Sequence, residues 1–326
     1  MAKLTLSGLQ TIVSAVIDDT KIAVDSPFVP TYDSITGLVN KIGKQLMLDS
    51  NFEDRLPELE GEMLPWGGTI EEYFTNLILP VAFDPDGATA LAPKRPTFED
   101  VVYSYPLLKK TFATTIDDGK MENHLLGQEE FSALIAQITK ALYDSLAIYK
   151  YGLKKQLMGD AIALLPVAGP AVKTVVALAK PVDTATAEAF AKSVKNKFEY
   201  MTNLHDDITI NGTVVARSNP EDLVLYVTEG ITSVLDVDLE GGAFNVGKVQ
   251  IPVRVKALEN FGVIPGAKHL TAYALLVDTR GLRIHTKRQS ATSQYNGEGE
   301  FTNFFLHYEP VGYISKYTNI CVWEPA

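Results

Sequence analysis

The longest regular pattern in the chain runs from Gln128 to Met158. Apolar residues fall at Phe131, Leu134, Ile135, Ile138, Leu142, Leu146, Tyr149, Leu153 and Leu157, mostly three or four apart, with no proline among them. That spacing lays them along one stripe of a helix. At ~1.5 Å per residue the helix would span roughly 45 Å, long enough to cross a body rather than sit within a bundle of equals. A second helix is predicted over 184–202, with Phe190, Val194, Phe198 and Met201 on one face and Asp183 or Thr184 as its cap. Near the N-terminus, residues 9–17 (Leu9, Ile12, Val13, Val16, Ile17) and 35–46 (Ile35, Leu38, Val39, Ile42, Leu46) predict two short amphipathic helices. The proline-bearing DSPFVPTY (25–32) joins them, and together they make an N-terminal arm over 1–50.

Between 51 and 120 the helical pattern gives way. Seven prolines fall there: Pro57, Pro65, Pro80, Pro85, Pro93, Pro96 and Pro106. Strand-like runs separate them, YFTNLILPVAF (73–83) and VVYSYPLLKKTFATTI (101–116), with the turn-rich FDPDGATALAPKRP (83–96) as the tip. A compact helical or α/β domain does not accommodate that much proline easily, so the tract reads as a long β excursion. After residue 202 the chain alternates in the manner of strands. Candidates are DDITINGTVVA (206–216), DLVLYVTE (222–229), VQIPVRVKAL (249–258), LTAYALLVD (270–278), LRIHTKRQ (282–289) and the closing tract TNFFLHYEPVGYISKYTNICVWE (302–324). Residues 218–238 read as turn, strand and short helix.

Composition narrows the classes. The 326 residues are 46% hydrophobic and 21% charged, enough apolar material for a real core. Lys plus Arg number 29 against 40 Asp plus Glu, a net charge of −11. Such a chain repels polyanions at long range, which argues against a sequence-reading DNA binder. Cys321 is the lone cysteine, which excludes an internal disulfide, a zinc knuckle and a CxxC pair. Its place in the strand-like NICVWE (319–324) suits a buried structural thiol. No signal peptide and no run of 18 apolar residues is present.

Chemical motifs are sparse. His124, His205, His269, His285 and His307 show no HxxxH or HxH spacing. The neighbouring acids Glu71/Glu72, Asp117/Asp118 and Asp206/Asp207 lack the convergence in space that acid–base work needs, because adjacent residues on a strand point apart. Asp236, Asp238 and Glu240 alternate as if for calcium, without the loop glycine and final bidentate Glu. Gly67-Gly68-Thr69 is followed by no Lys-Ser/Thr, so it is no P-loop, and GxGxxG is absent. The glycine pair reads as a backbone hinge. The next residues, TIEEYFTNL (69–77), fit a helical face through Ile70, Tyr73, Phe74 and Leu77, yet are largely strand formers. Periodicity leaves this undecided.

The order of these parts resembles the major capsid proteins of tailed bacteriophages, a fold shared with encapsulin shells and the herpesvirus capsid floor. The segments that carry the resemblance, closest to short-tailed podophages, are GGTIEEYFTNL (67–77), RPTFEDVVYSYPLLKKTFATTIDD (95–118), FSALIAQITKALYDSLAIYKYGLKKQLM (131–158) and DLVLYVTEGITSVLDVDLEGGAFN (222–245). The resemblance implies an α+β fold. Its parts would be an N-terminal arm (1–50), an extended β-hairpin loop (51–120), a peripheral domain with a spine helix (121–183), a mixed α/β axial domain (184–285) and strands returning to the peripheral domain (286–326). It implies that Gly67, Gly68, Glu71, Glu72, Tyr73, Phe74, Leu77 and Phe83 lie at a subunit interface, the two acids pairing with basic side chains across it. Phe131, Leu134, Ile138, Leu142 and Tyr149 would form the spine helix.

The implied function is a major capsid protein assembling into hexamers and pentamers of an icosahedral virion around double-stranded DNA held without sequence specificity. A separate scaffolding protein and a portal are implied partners. No enzyme activity, cofactor, metal, membrane partner, immunoglobulin-like decoration or fused scaffold is expected. Ordering an arm costs roughly 1–2 kcal/mol per residue of backbone entropy, and neighbouring copies would offset this by covering apolar runs such as TNLILPVAF (75–83). Three other readings stand beside it: an encapsulin-type nanocompartment, a metal-dependent hydrolase using His205, His269 and acidic residues, and a phage tail or baseplate component that would form rings or tubes.

Overall fold

The computed structural model describes residues 54–64, 69–75, 93, 95, 98–103, 109–117, 128–165, 173–203, 209–210, 213–214, 217–235, 251–266 and 268–325. The two helices expected in the N-terminal arm lie outside these residues, as does the expected tip of the excursion apart from Pro93 and Arg95.

Two sheets and two helices carry the body. The first sheet has four strands: β1 (Glu60–Met63), β4 (Lys110–Asp117), β11 (Leu282–Asn296) and β12 (Phe301–Ile314), in the order β1-β11-β12-β4. β11 and β12 form a long antiparallel hairpin, from Leu282 opposite Ile314 to Asn296 opposite Phe301. β4 pairs antiparallel with β12, and β1 parallel with β11. The second sheet has five strands: β5 (Lys173–Ala177), β8 (Leu223–Thr228), β9 (Arg254–Leu258), β10 (Ala274–Asp278) and β13 (Ile320–Glu324), in the order β5-β13-β10-β8-β9. Two small ribbons complete the strands, β2 (Ile70–Thr75) with β3 (Phe98–Tyr103), and β6 (Thr209–Ile210) with β7 (Thr213–Val214).

The long helix α1 (Gln128–Ala163) outruns its sequence pattern by five residues. The extra turn is held by packing on two sides. Leu157, Met158, Ala161, Ile162 and Leu165 pack both on Val224, Tyr226, Leu275 and Val322 of the five-stranded sheet and on Leu282, Ile284 and Ile314 of the four-stranded one. Further back, Leu142, Tyr143, Leu146 and Tyr149 lie against Phe112, Leu306 and Tyr308. Ile138, Leu142 and Tyr149 are half-buried. Phe131 and Leu134 belong to the helix, and their side chains lie outside the described residues.

Helix α2 (Thr184–Thr202) begins on a reciprocal cap. Thr186 N–H donates to Asp183 Oδ1 at 2.8 Å and Asp183 N–H donates to Thr186 Oγ1 at 3.1 Å. Its Phe190, Val194 and Met201 cover the opposite face of the five-stranded sheet, on Leu225, Leu276, Cys321 and Trp323. With a helix on each face, β8 is buried on both sides, which is why LVLYV reads as a continuous apolar run rather than an alternation.

One ambiguity is resolved and one strand boundary needs correcting. Residues 70–75 form a strand, as in the hairpin that the resemblance implied. β11 runs on to Asn296 rather than stopping at 289, because its second half pairs with β12 although its sequence turns polar. The closing tract divides between the sheets: β12 stays in the four-stranded sheet, whereas β13 crosses to the other and inserts between β5 and β10. β5, which has no sequence signal of its own, pairs in the second sheet.

Candidate functional site

The feature that stands off from the body is the β2–β3 ribbon, and its attachment begins just upstream at 54–63. Lys154, wholly buried on α1, donates to Asp54 Oδ2 and to the Leu56 carbonyl at 3.0 Å, and lies 2.7 Å from Glu60 Oε2. Lys150 adds a 3.0 Å contact to Glu60. From the second sheet, the Tyr226 hydroxyl donates to Glu58 at 2.7 Å and Lys256 reaches the same carboxylate at 2.7 Å. Burial, and after it the charge of Glu58, pushes the Tyr226 phenol far above its ordinary value. Residues 54–63 are thus bolted to both sheets before the chain leaves for the ribbon.

β2 and β3 pair antiparallel, from Ile70 opposite Tyr103 to Thr75 opposite Phe98. Alternation of side chains divides the ribbon into two faces. Ile70, Glu72, Val101 and Tyr103 turn toward the body and are half-buried; Glu71, Tyr73, Thr75, Phe98, Asp100 and Val102 turn away and are exposed. Tyr73 is 71% exposed, Phe98 72% and Val102 54%. A surface that offers an aromatic pair and a valine between carboxylates suits a partner that is apolar and basic.

The sequence expectation set Glu71 and Glu72 in one role, and the fold separates them. Glu71 stays on the exposed face, where it accepts hydrogen bonds from the Tyr73 hydroxyl and from Thr69 Oγ1 at 3.0 Å. The Tyr73 bond first, and the Thr69 bond second, hold its carboxyl below the usual range. Glu72 points inward instead. Its Oε2 accepts from the Tyr103 hydroxyl at 2.6 Å, and Ser315 Oγ lies 2.8 Å from Oε1 and 2.9 Å from Oε2, its single proton shared between them. Tyr103 in turn accepts from the Lys316 backbone N–H at 3.0 Å, and its ring stands edge-on to Tyr313 with centroids 4.8 Å apart. Lys173 Nζ donates to the Ser315 carbonyl at 3.0 Å; burial depresses this amine and the charge of Glu72 counteracts that.

Of the other residues expected at the interface, Phe74 lies in β2 with its side chain outside the described residues. Gly67, Gly68, Leu77 and Phe83 also lie outside them. Tyr103, Tyr313, Ser315 and Lys173 escaped sequence reasoning. Once the segment is known to be a strand, its alternation places the two acids on opposite faces. Nothing in the sequence said that residues beyond 310 would come to meet one of them.

No cluster of three or more metal-ligating side chains occurs among the described residues. His269 binds Glu324 at 3.1 Å and His285 the Glu62 carbonyl at 3.0 Å, while His307 lies between Thr111 and Thr292 at 2.9 Å and 3.0 Å. His124 and His205 lie outside the described residues. Cys321 is buried in β13, where desolvation pushes its thiol up to about 11. No described helix is long and apolar enough to cross a membrane.

Comparison with known proteins bears on the family and the fold. A sequence profile described as Phi29-like phage major capsid protein matches residues 7–324. The chain is 24% identical over 293 residues to the major capsid protein of Bacillus phage B103 and 23% identical over 295 residues to that of Bacillus phage PZA. These matches cover 87% and 88% of this chain. The chain spans 62% of the length of each of these two relatives. Among solved structures, it is similar to a chain from the capsid of Staphylococcus phage Andhra, with a TM-score of 0.62, 14% identity, and coverage of 84% of this chain and 85% of that one. It also resembles a chain from the mature capsid of bacteriophage PhiM1, with a TM-score of 0.55, 10% identity, and coverage of 84% and 88%. At such identities these structures speak to the fold alone.

Proposed function

We infer from its family that this chain, which belongs to the Phi29-like phage major capsid proteins, is a subunit of a virion shell and acts by packing against further copies of itself. The observation that carries the inference is the profile match over 7–324, joined to an α+β capsid fold. On this reading the protein's work is structural and is done by its surfaces.

The geometry supports a division of labour. The 54–63 segment and the inward face of β2–β3 belong to the subunit itself. The outward face, with Tyr73, Phe98 and Val102 between Glu71 and Asp100, is left for a neighbour. Covering it would bury apolar side chains at ~25 cal/mol per Å², and its carboxylates would select a basic counter-surface. The inward hydrogen bonds of Glu72 remove it from the contact proposed for both acids and leave that role to Glu71. The body carrying the five-stranded sheet would meet its counterparts around fivefold and sixfold axes, giving pentamers and hexamers of an icosahedral head. A scaffolding protein and a portal would guide closure, and double-stranded DNA would be enclosed without sequence-specific contacts. A net charge of −11 suits a container that does not grip its polyanion.

Electron microscopy of the purified chain, alone and with a candidate scaffolding protein, tests this. Closed particles of uniform size with icosahedral symmetry are expected. A chain that stays monomeric under both conditions would overturn the reading.

A further inference from the structure

A two-stranded ribbon has little stability of its own, so what sets the direction of β2–β3 is its root. The hydrogen bonds that join the ribbon to the body among the described residues run through Glu72 and Tyr103. These two are diagonal neighbours on the inward face, since Glu72 pairs with Val101 and Tyr103 with Ile70. They bind each other at 2.6 Å. Their partners come from a single bend. Ser315 and Lys316 follow β12 directly and precede β13, so this bend is where the chain passes from the four-stranded sheet to the five-stranded one. Its backbone is itself pinned. Ser315 N–H donates to the Gly281 carbonyl at 2.8 Å, at the start of β11, and the Ser315 carbonyl accepts from Lys173 of β5 at 3.0 Å. Ser315 Oγ also accepts from the Tyr317 N–H at 3.0 Å.

We propose that Glu72 is a latch that fixes the direction of the β2–β3 ribbon, by tying it to the 315–316 bend at the crossing of the two sheets. The reasons are geometric. A carboxylate takes hydrogen bonds on both oxygens and so resists rotation about its own axis, which a single bond would not. The Tyr103 ring, edge-on to Tyr313, adds a packed contact at the same root. Lys173 supplies a cation where the carboxylate is half-buried. With Glu72 removed, the Tyr103 hydroxyl and Ser315 Oγ lose a shared acceptor, and of these polar and ring contacts those of Tyr103 with Lys316 and Tyr313 remain. Glu71, one residue away on the outward face, has no part in this, which makes it the internal control. The latch does not depend on the shell reading, because it acts within one subunit.

Hydrogen exchange on the dispersed full chain decides it. In Glu72→Ala, amides of 70–75 and 98–103 are expected to exchange roughly tenfold faster, while those of β10 and β12 keep their wild-type rates. Glu71→Ala should leave both sets unchanged. Tyr103→Phe and Ser315→Ala, which remove one hydroxyl each, should reproduce the ribbon effect in smaller measure; they decide the matter if Glu72→Ala fails to fold. Equal acceleration everywhere, or ribbon rates within about twofold of wild type in every variant that folds, would overturn the proposal.

Discussion

Lys154 and Glu60 meet at 2.7 Å with the lysine side chain 1% exposed and the glutamate 32% exposed. A fully buried cation on the long helix thus holds the strand from which the ribbon departs, and Asp54 and the Leu56 carbonyl complete its surroundings. Removing the cation leaves Asp54 without its lysine and Glu60 with Lys150 alone, although both carboxylates keep about a third of their surface in water. Lys154→Ala is therefore expected to cost about 2 kcal/mol, below the range for wholly buried pairs. Lys154→Met, which keeps the stem's packing, should cost less. Urea unfolding of the dispersed chain measures both.

Cys321 offers a prediction in alkali. The folded thiol titrates at about 11 against an ordinary value of 9.0, because burial disfavours the thiolate. A raised pKa means that the folded state holds its proton after the unfolded chain has released it, so stability falls as pH rises from 9 towards 11. Below that window the contribution is complete. In Cys321→Ala the slope of unfolding free energy against pH should be shallower by one proton across it. Equal slopes would place the thiol in a less desolvated setting than β13 provides.

At the start of α2 the sign is reversed. The Thr186 hydroxyl first, and its backbone N–H second, hold the Asp183 carboxyl below its ordinary value of 3.8. The cap is therefore at full strength above that value and is lost as pH falls beneath it. Asp183→Ala should speed amide exchange in the first turn of α2 at neutral pH. The difference from wild type should vanish in acid, and its persistence there would show that the side chain acts otherwise than as an anion.

Two glycines on α1 should part company. A Cβ at Gly152 meets nothing within 4 Å, whereas one at Gly159 would come 2.7 Å from the Phe261 carbonyl oxygen. Gly152→Ala is expected to stabilise the isolated chain by up to about 1 kcal/mol. Gly159→Ala should destabilise it by about 1–3 kcal/mol, because the 261–263 backbone must move away from the helix. Paired thermal melts would settle the comparison.

For the outward face of the ribbon, Glu71→Lys combined with Asp100→Lys should leave the melt of the dispersed chain unchanged and reduce particle yield by about tenfold or more. Assembly followed by light scattering at several salt concentrations measures this. Unchanged yield would remove charge from the contact.

Much of the fold is legible in the chain itself wherever local pattern and tertiary packing agree. Helix α2 spans the predicted 184–202, because four apolar residues share one face and Asp183 stands just ahead. α1 was legible for the same reason, but its last turn was not. There the helix is enclosed by two sheets, so Ala161 and Ile162 are buried on sides that an amphipathic stripe leaves open. β5 was invisible because KTVVA is short, lies next to proline-bearing sequence and gains its place from β13, far along the chain. The candidate surface was half legible. Strand alternation told Glu71 from Glu72 as soon as the segment was known to be extended. Which of them faced the body depended on Ser315 and Tyr103, and such long-range meetings leave no trace in local periodicity.

The placement of β13 has a consequence for biosynthesis. Within the described residues β5 is hydrogen-bonded in its sheet to β13, and β10 has β13 on one side. A nascent chain on the ribosome that has emerged only as far as β12 therefore carries two bare strand edges with a gap between them. Such edges invite pairing with other chains, and closing a parallel pair so distant in sequence is slow. The gap between them closes only when residues 320–324 arrive.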